Sequence, residues 1–479
     1  MERPTAATPP LRPHPSAVSR RALLRAGVAA AAFAVVPRRV LGGEGHVPPS
    51  EQTTLAGIGM GGQGMQDLGA FIAMPEVRAV AVCDVNREGG GYLSWNWDKG
   101  KQARQCGREP ARRLVEKHYA DAKASGTYTG CAAYADFREL FAKEKDVDAV
   151  LVATPDHTHA AIMMAALKGG KHVFCEKPLT WSVREARAVA QAARKAGVAT
   201  QLGNQGQASE EARIVREMIA DGAIGPVREI RVWCPPRFWS YPTYTGRPKE
   251  TPPVPAGLDW DLWLGPAPER PYHPDYCPWT WRNWWAFGTG LLGDLWCHKL
   301  STAFKALDLG HPVRVSASST KLDEEVYPLG VIARFDFPAR GDHPPLKLTW
   351  CDGGLKPPRP PGLEPGRRMA DITYLGDDGA IMGHRLIPET RMKAYGRPPR
   401  TLERSPGHYK EWILACRGGP PAGSDFVRHS ALLTEACLLA NVAVRAGKEL
   451  HWDGPAMRVT NYEPANKLLH RPYREGWQL

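Results

Sequence analysis

Apolar residues between positions 53 and 204 fall in short runs separated by stretches of helical period. Val147 to Ala153 is apolar except for Asp148, the pattern of a parallel strand buried on both faces. "TTLAGIG", "VRAVAVCDV", "HVFCEK" and "VATQLGNQ" read as further strands. Between them, a helix begins at His159 and is stopped by Gly169-Gly170, and "SVREARAVAQAARKAG" is a second helix. Pro178 holds Lys177 in an extended conformation. Strand–helix alternation with short links predicts an α/β, doubly wound Rossmann-type sheet whose strand C-terminal ends line a cofactor crevice. Thr154, Pro155, His159, Glu176, Lys177 and Asn204 lie at such ends.

The pattern then changes. After a helix in "SEEARIVREMIADG" come five strand-like segments: "VREIRVWC", "VRVSASSTKL", "GVIARFDF", "LKLTWCDG" and "DITYLG". No crossover helix separates the last four, which predicts an antiparallel or mixed sheet. The expected organisation is an N-terminal segment (1–50), a nucleotide-binding domain (51–205) interrupted by an insertion at 87–147, and a substrate and oligomerisation domain (206–479). The insertion carries Trp95, Trp97 and a helix in "EPARRLVEKHYADAKA", with no assignable chemistry.

Composition alters this picture at the N-terminus. Residues 1–18 are Pro-rich. Ser19-Arg20-Arg21-Ala22-Leu23-Leu24-Arg25 then precedes an apolar run, Ala26 to Val36. Paired arginines before so short an apolar run resemble a twin-arginine (Tat) signal, with export to the periplasm or beyond by the Tat machinery. The run is far below the ~20 residues of a spanning helix, so no stable membrane insertion is expected after processing. The net charge of +12 is partly local, since residues 1–50 contain seven Arg and two Glu. The remainder has no basic block interleaved with aromatics, which argues against a nucleic-acid surface. Ten scattered cysteines lack zinc-ligand spacing, and no metal site is expected. A Cys106–Cys131 bridge is conceivable.

Candidate chemistry starts at "GIGMGGQG". Gly57, Gly59 and Gly62 form G-x-G-x-x-G across a strand-to-helix turn, with Gly61 beside them. Such a turn lets the backbone approach a pyrophosphate at a helix N-terminus. Asp84 ends the next strand, where an acid accepts hydrogen bonds from ribose hydroxyls and favours NAD over NADP. Arg87 nearby keeps NADP open. Six tryptophans (Trp260, Trp263, Trp279, Trp281, Trp284 and Trp285) are either interdomain core or a flat platform for a sugar, with Trp281 and Trp285 the candidate contacts alongside Asn204. Asp294 and His298, four apart, would share one helix face, where Asp can fix the His tautomer.

The glycine turn, "CDVN", "ATPDHTH", "CEKPL" and "GNQGQ", in this order, resemble the Gfo/Idh/MocA family, named after glucose–fructose oxidoreductase and inositol dehydrogenase. The resemblance continues through "WRNWWAFGTGLLGDLWCHKL" to "YREGWQL". It implies a C-terminal α/β domain with an open, largely antiparallel sheet, and a homo-oligomer. It also implies catalysis by Lys177, Asp294 and His298 on a sugar, polyol or sugar derivative. Relatives often carry another Asp three residues after that His, where this chain has Ser301. Oxidation of a secondary alcohol needs a proton acceptor, and both Lys177 and His298 qualify. The resemblance leaves three readings: an exported oxidoreductase with retained cofactor, an NAD-dependent glycosidase working by transient oxidation and elimination, and a non-catalytic sugar-binding protein.

Overall fold

The computed structural model describes residues 47–92, 104–235, 246–320 and 322–479. The expected export signal at 19–36, and Trp95 and Trp97, lie outside these residues. Thr53–Leu479 forms one compact unit.

Its first sheet is parallel throughout. The strands are β1 (Thr53–Ile58), β2 (Val77–Cys83), β5 (Ala132–Tyr134), β6 (Ala149–Val152), β7 (His172–Glu176) and β8 (Thr200–Gly203). They lie in the order β5-β2-β1-β6-β7-β8, and a ribbon of β3 (Gly89–Tyr92) and β4 (Arg104–Cys106) stands apart. The connecting helices are α1 (Gly62–Ile72), α2 (Arg108–Asp121), α3 (Phe137–Lys143), α4 (Asp156–Lys168) and α5 (Val183–Ala196). Strand β6 is buried at every position, as its apolar run requires. Helix α5 starts with a reciprocal capping box between Ser182 and Glu185 and stops at Gly197, whose φ is 65°.

Two expectations need correction. Helix α4 begins at Asp156 rather than His159, with Pro155 as its N-cap. The 87–147 stretch is not all insertion: β5 pairs with β2, and α3 returns the chain to β6.

The second sheet has nine strands, ordered β15-β14-β13-β9-β12-β11-β10-β16-β17. These are β9 (Val227–Trp233), β10 (Arg314–Ser319), β11 (Val331–Phe337), β12 (Leu346–Cys351), β13 (Ile372–Gly376), β14 (Ala380–Met382), β15 (Arg385–Ile387), β16 (Leu450–Asp453) and β17 (Arg458–Val459). Only the β9–β12 pair is parallel. Its helices are α6 (Glu210–Ala220), α7 (Trp260–Leu264), α8 (Gly290–Ala306), α9 (Glu389–Tyr395), α10 (His408–Cys416) and α11 (Ala431–Ala446). Helix α8 is buried along most of its length and packs on α6 and α11. It enters at Gly290, with φ 69°, where a Cβ would lie 2.1 Å from the Tyr327 ring.

The two sheets share one interior. Helix α10 comes from the far end of the chain but packs on the first sheet, where Trp412 meets Phe71 and Phe174 at ring separations of 5.2 and 5.7 Å. The Leu202 amide donates to the Ser424 carbonyl (3.0 Å). All ten cysteines are free thiols, so Cys106 and Cys131 form no bridge. Among the described residues, no helix is long and apolar enough to cross a membrane, and no group of His, Cys, Asp or Glu is arranged to hold a metal ion.

Candidate active site

A cleft of about 490 Å³ runs along the C-terminal ends of the first sheet and is closed by side chains of the second half. One end is built by the glycine turn. Gly59 has φ 86°, and a Cβ there would lie 2.5 Å from the Thr154 amide nitrogen. Gly64 holds the turn against the helix, since its Cβ would meet the Gly59 carbonyl oxygen at 1.9 Å. The fingerprint reading passed over Gly64, which lies just beyond it. The first amides of α1 have no intrahelical acceptor and open onto the cleft at Gly61, Gly62 and Gln63.

Asp84 clamps this turn. Its carboxylate accepts from the Met60 amide (2.6 Å) and the Asn86 amide (2.8 Å). Burial pushes its pKa up to about 6, against the pull of those amides. Each oxygen retains a lone pair, so the carboxylate can still accept from a ribose hydroxyl. Ala135 and Phe137, after β5, complete this end with Val85. They were missed in the sequence because β5 is only three half-buried residues, Ala132–Tyr134, too short to read as a strand. Close backbone approach, orphan helix amides and an acid at the β2 end fit a nicotinamide dinucleotide, which Gly59, Gly61, Gly62, Asp84 and Thr154 would hold.

The other end carries the charged group. Lys177 Nζ donates to Asp294 Oδ1 at 2.6 Å, both nearly buried. Arg282 Nε reaches the same oxygen at 3.4 Å, with its guanidinium 4.6 and 4.2 Å from the rings of Trp279 and Trp281. Burial alone would raise Asp294, but the Lys177 and Arg282 charges outweigh it and hold its carboxyl well below the usual range. His298 lines the cleft one turn further along α8. Burial, reinforced by the Lys177 charge, pushes its pKa down to about 3, so its imidazole is neutral at neutral pH. The anticipated Asp294–His298 tautomer lock does not form: Lys177 and Arg282 both reach Oδ1, and the buried Oδ2 makes no hydrogen bond to His298 or any other group. Deeper in, Asp156 accepts from the Thr289 hydroxyl (2.6 Å) and amide (3.1 Å), and burial raises it to about 7.

The cleft thus gathers Gly59, Gly61, Gly62, Asp84, Thr154, Pro155, Glu176, Lys177, Trp281, Asp294 and His298. Other candidates lie elsewhere. Gly57 stands behind the turn. His159 is buried in α4, its two ring nitrogens against the Thr154 and Pro178 carbonyls (2.8 and 2.9 Å). Asn204 is buried and donates to the Cys297 carbonyl (3.3 Å), fastening α8 to the end of β8. Trp285 packs on Tyr327 and donates to the Asp323 carbonyl, away from the cleft. Trp284 is fully buried core. Ser301 pairs with His429 (2.8 Å) inside the second half. Sequence reasoning missed Asp156, Arg282 and Trp477, which the tertiary fold alone brings to the cleft.

Comparison with known proteins agrees with this architecture. Residues 98–204 match the model of the Gfo/Idh/MocA oxidoreductase family's NAD-binding Rossmann fold. Residues 209–329 match that family's C-terminal alpha/beta domain. A stretch of 90 residues is 40% identical to 1,5-anhydro-D-fructose reductase of Ensifer adhaerens, covering 19% of this chain and 27% of that enzyme. A longer match, 226 residues at 31% identity, is to a glycosyl hydrolase family 109 protein of Saccharopolyspora erythraea and covers 44% of each chain. Among solved structures, the WlbA dehydrogenase of Bordetella pertussis, in complex with NADH and UDP-GlcNAcA, shares the fold with a TM-score of 0.54 and 16% identity. That match covers 84% of this chain and 99% of the dehydrogenase.

Proposed function

We propose that this chain, which belongs to the Gfo/Idh/MocA oxidoreductase family, oxidises a secondary alcohol of a sugar, polyol or sugar derivative with NAD held in the cleft. The observation that carries the reading is the Lys177–Asp294 ion pair beside neutral His298 at the far end of a dinucleotide-shaped crevice. The bound nicotinamide supplies the acceptor for the electron pair and hydrogen leaving the carbon. Lys177, paired with Asp294, donates a hydrogen bond to the substrate oxygen and stabilises negative charge developing there. His298 lines the same end of the cleft, and it and Lys177 are the two candidates to take up the hydroxyl proton. Arg282, flanked by two indoles, shares the Asp294 carboxylate and fixes its position. The test is to identify the nucleotide released from purified protein and to screen sugars and polyols for turnover. Protein that binds no dinucleotide, or turns over none of these substrates, would remove the reading.

The family 109 similarity favours a second reading, a redox-neutral glycosidase in which transient oxidation acidifies a neighbouring C–H and allows the aglycone to leave. Aryl glycosides separate the two, because hydrolysis without net cofactor reduction occurs only in the glycosidase.

Asp84 gives a prediction on affinity. Asp84→Ala will weaken NAD binding by about 1–3 kcal/mol, the scale of a lost hydrogen bond to a charged group. Below a pKa of about 6 the carboxyl is protonated and accepts poorly, so wild-type affinity will rise as pH increases through 6. The variant will lose that rise. Calorimetric titration at pH 5 and pH 8 measures both effects, and a variant with undiminished affinity would refute the assignment.

We further propose export of the folded protein by the twin-arginine route, on the strength of Arg20-Arg21 before the short apolar run. Replacing both with Lys will leave active protein in the cytoplasm, as fractionation will show. Undiminished periplasmic activity would contradict this.

A further inference from the structure

The last nine residues return to the first sheet, a placement that the reaction described above does not use. Trp477 lines the cleft at the end formed by β2 and β5, where Asp84, Val85, Ala135 and Phe137 stand. Its indole lies 6.0 Å from the Phe137 ring and 5.0 Å from the Arg138 guanidinium carbon. Arg138 is itself held by Asp136 at 2.9 Å. Lys177 follows β7 and Asp294 sits on α8, whereas Phe137 and Arg138, against which Trp477 packs, follow β5 at the other edge of the sheet. In a dinucleotide laid across the sheet, the β2 side takes the adenosine half and the later strands take the nicotinamide.

The segment is anchored rather than draped. Arg474 donates to the Gly265 carbonyl and binds the Asp261 carboxylate, both at 2.5 Å. Tyr473 donates to Glu185 (2.6 Å), and Arg471 to the Ala286 carbonyl (2.5 Å). Helix α7, which Arg474 grips, is also tied to the end of β2. The Asp259 amide donates to the Val85 carbonyl (3.0 Å) and the Arg87 amide to the Gly257 carbonyl (2.8 Å). Leu262 and Trp263 of α7 also line the cleft, Trp263 with its ring 5.2 Å from that of His157 on α4. Residues 257–265 and 471–479 are therefore tied to one another and to the end of β2, and both contribute to the wall of the cleft.

We propose that residues 471–479 latch the dinucleotide in place, with Trp477 as the outer wall of the adenine site and Arg474 as the fastening. The inference rests on the reading of the cleft as a dinucleotide site. Its consequence is slow release, because the adenine can leave only when the anchored segment lifts. Affinity differences among variants of one site reside mainly in the dissociation rate.

The test uses the full chain with AMP, nicotinamide mononucleotide and NAD as separate probes. Trp477→Ala will weaken AMP and speed NAD release by roughly ten- to a hundredfold, the scale of losing one base–aromatic contact. Nicotinamide mononucleotide binding will be unchanged. Trp477→Phe will restore most of the loss, and Arg474→Ala will speed NAD release with the indole still present. These two variants also decide the question should Trp477→Ala fail to fold. AMP binding and NAD release unaffected by the substitutions, or equal weakening of both half-nucleotides, would overturn the latch. Wild-type protein that binds neither NAD nor AMP would instead overturn the dinucleotide reading itself.

Discussion

Lys177→Ala will cut turnover by roughly two to four orders of magnitude while leaving the protein folded and able to bind NAD. The expected size follows from the environment of the ammonium. Lys177 Nζ is nearly buried, 2.6 Å from a carboxylate that is held ionised, and it opens on the end of the cleft shared with His298. Removing it leaves Asp294 with Arg282 alone, at 3.4 Å. His298→Ala will lower turnover in the same direction, and the double variant will lose less than the product of the two single losses if they serve one proton transfer. Steady-state rates and nucleotide titrations on the three variants measure this. Unchanged rates in both single variants would show that the reaction centre lies elsewhere.

Trp296→Ala will destabilise the protein by about 3–5 kcal/mol, the range for truncating a buried aromatic. Trp296 is fully buried on α8, two residues beyond Asp294 and two before His298. Its ring is 4.9 Å from Phe335 and 5.6 Å from Trp350, both on the second sheet, and its indole N–H donates to the Leu433 carbonyl of α11 (2.9 Å). The substitution therefore opens a cavity beneath the helix that presents both catalytic candidates and removes the indole's hydrogen bond to α11. Denaturant unfolding gives the loss directly. A change below 1 kcal/mol would mean that α8 is held by its ends rather than by this ring.

The contrast between these residues explains what could be read from the chain. Lys177 was legible because an apolar strand, an acid, a lysine and a proline occur in one short order. Asp294 and His298 were legible as an i, i+4 pair, yet their bonding was not. The competing donors, Lys177 and Arg282, reach the carboxylate only through tertiary folding. Asn204 follows β8 as expected and His159 lies inside the first turn of α4, but their side chains turn inward to backbone carbonyls. A position in the chain therefore located the crevice without saying which side chains face it. Strand β5 escaped notice because it is short and only half-buried, and the cleft residues after it escaped with it. Of the six clustered tryptophans, periodicity could not separate Trp284, wholly interior, from Trp281, which lines the cleft.

Helix α10 on the first sheet sets a timetable for synthesis. The strands of the nucleotide-binding half are complete once Gly203 has been made, but Phe71 and Phe174 still lack the Trp412 face that covers them. The Leu202 amide likewise waits for the Ser424 carbonyl. At about 5–20 residues per second, a nascent chain passes on the order of 10–40 s with that apolar surface uncovered. The first half therefore leaves the ribosome as an unfinished sheet, a natural client for a chaperone, and it closes only when the second half has been delivered.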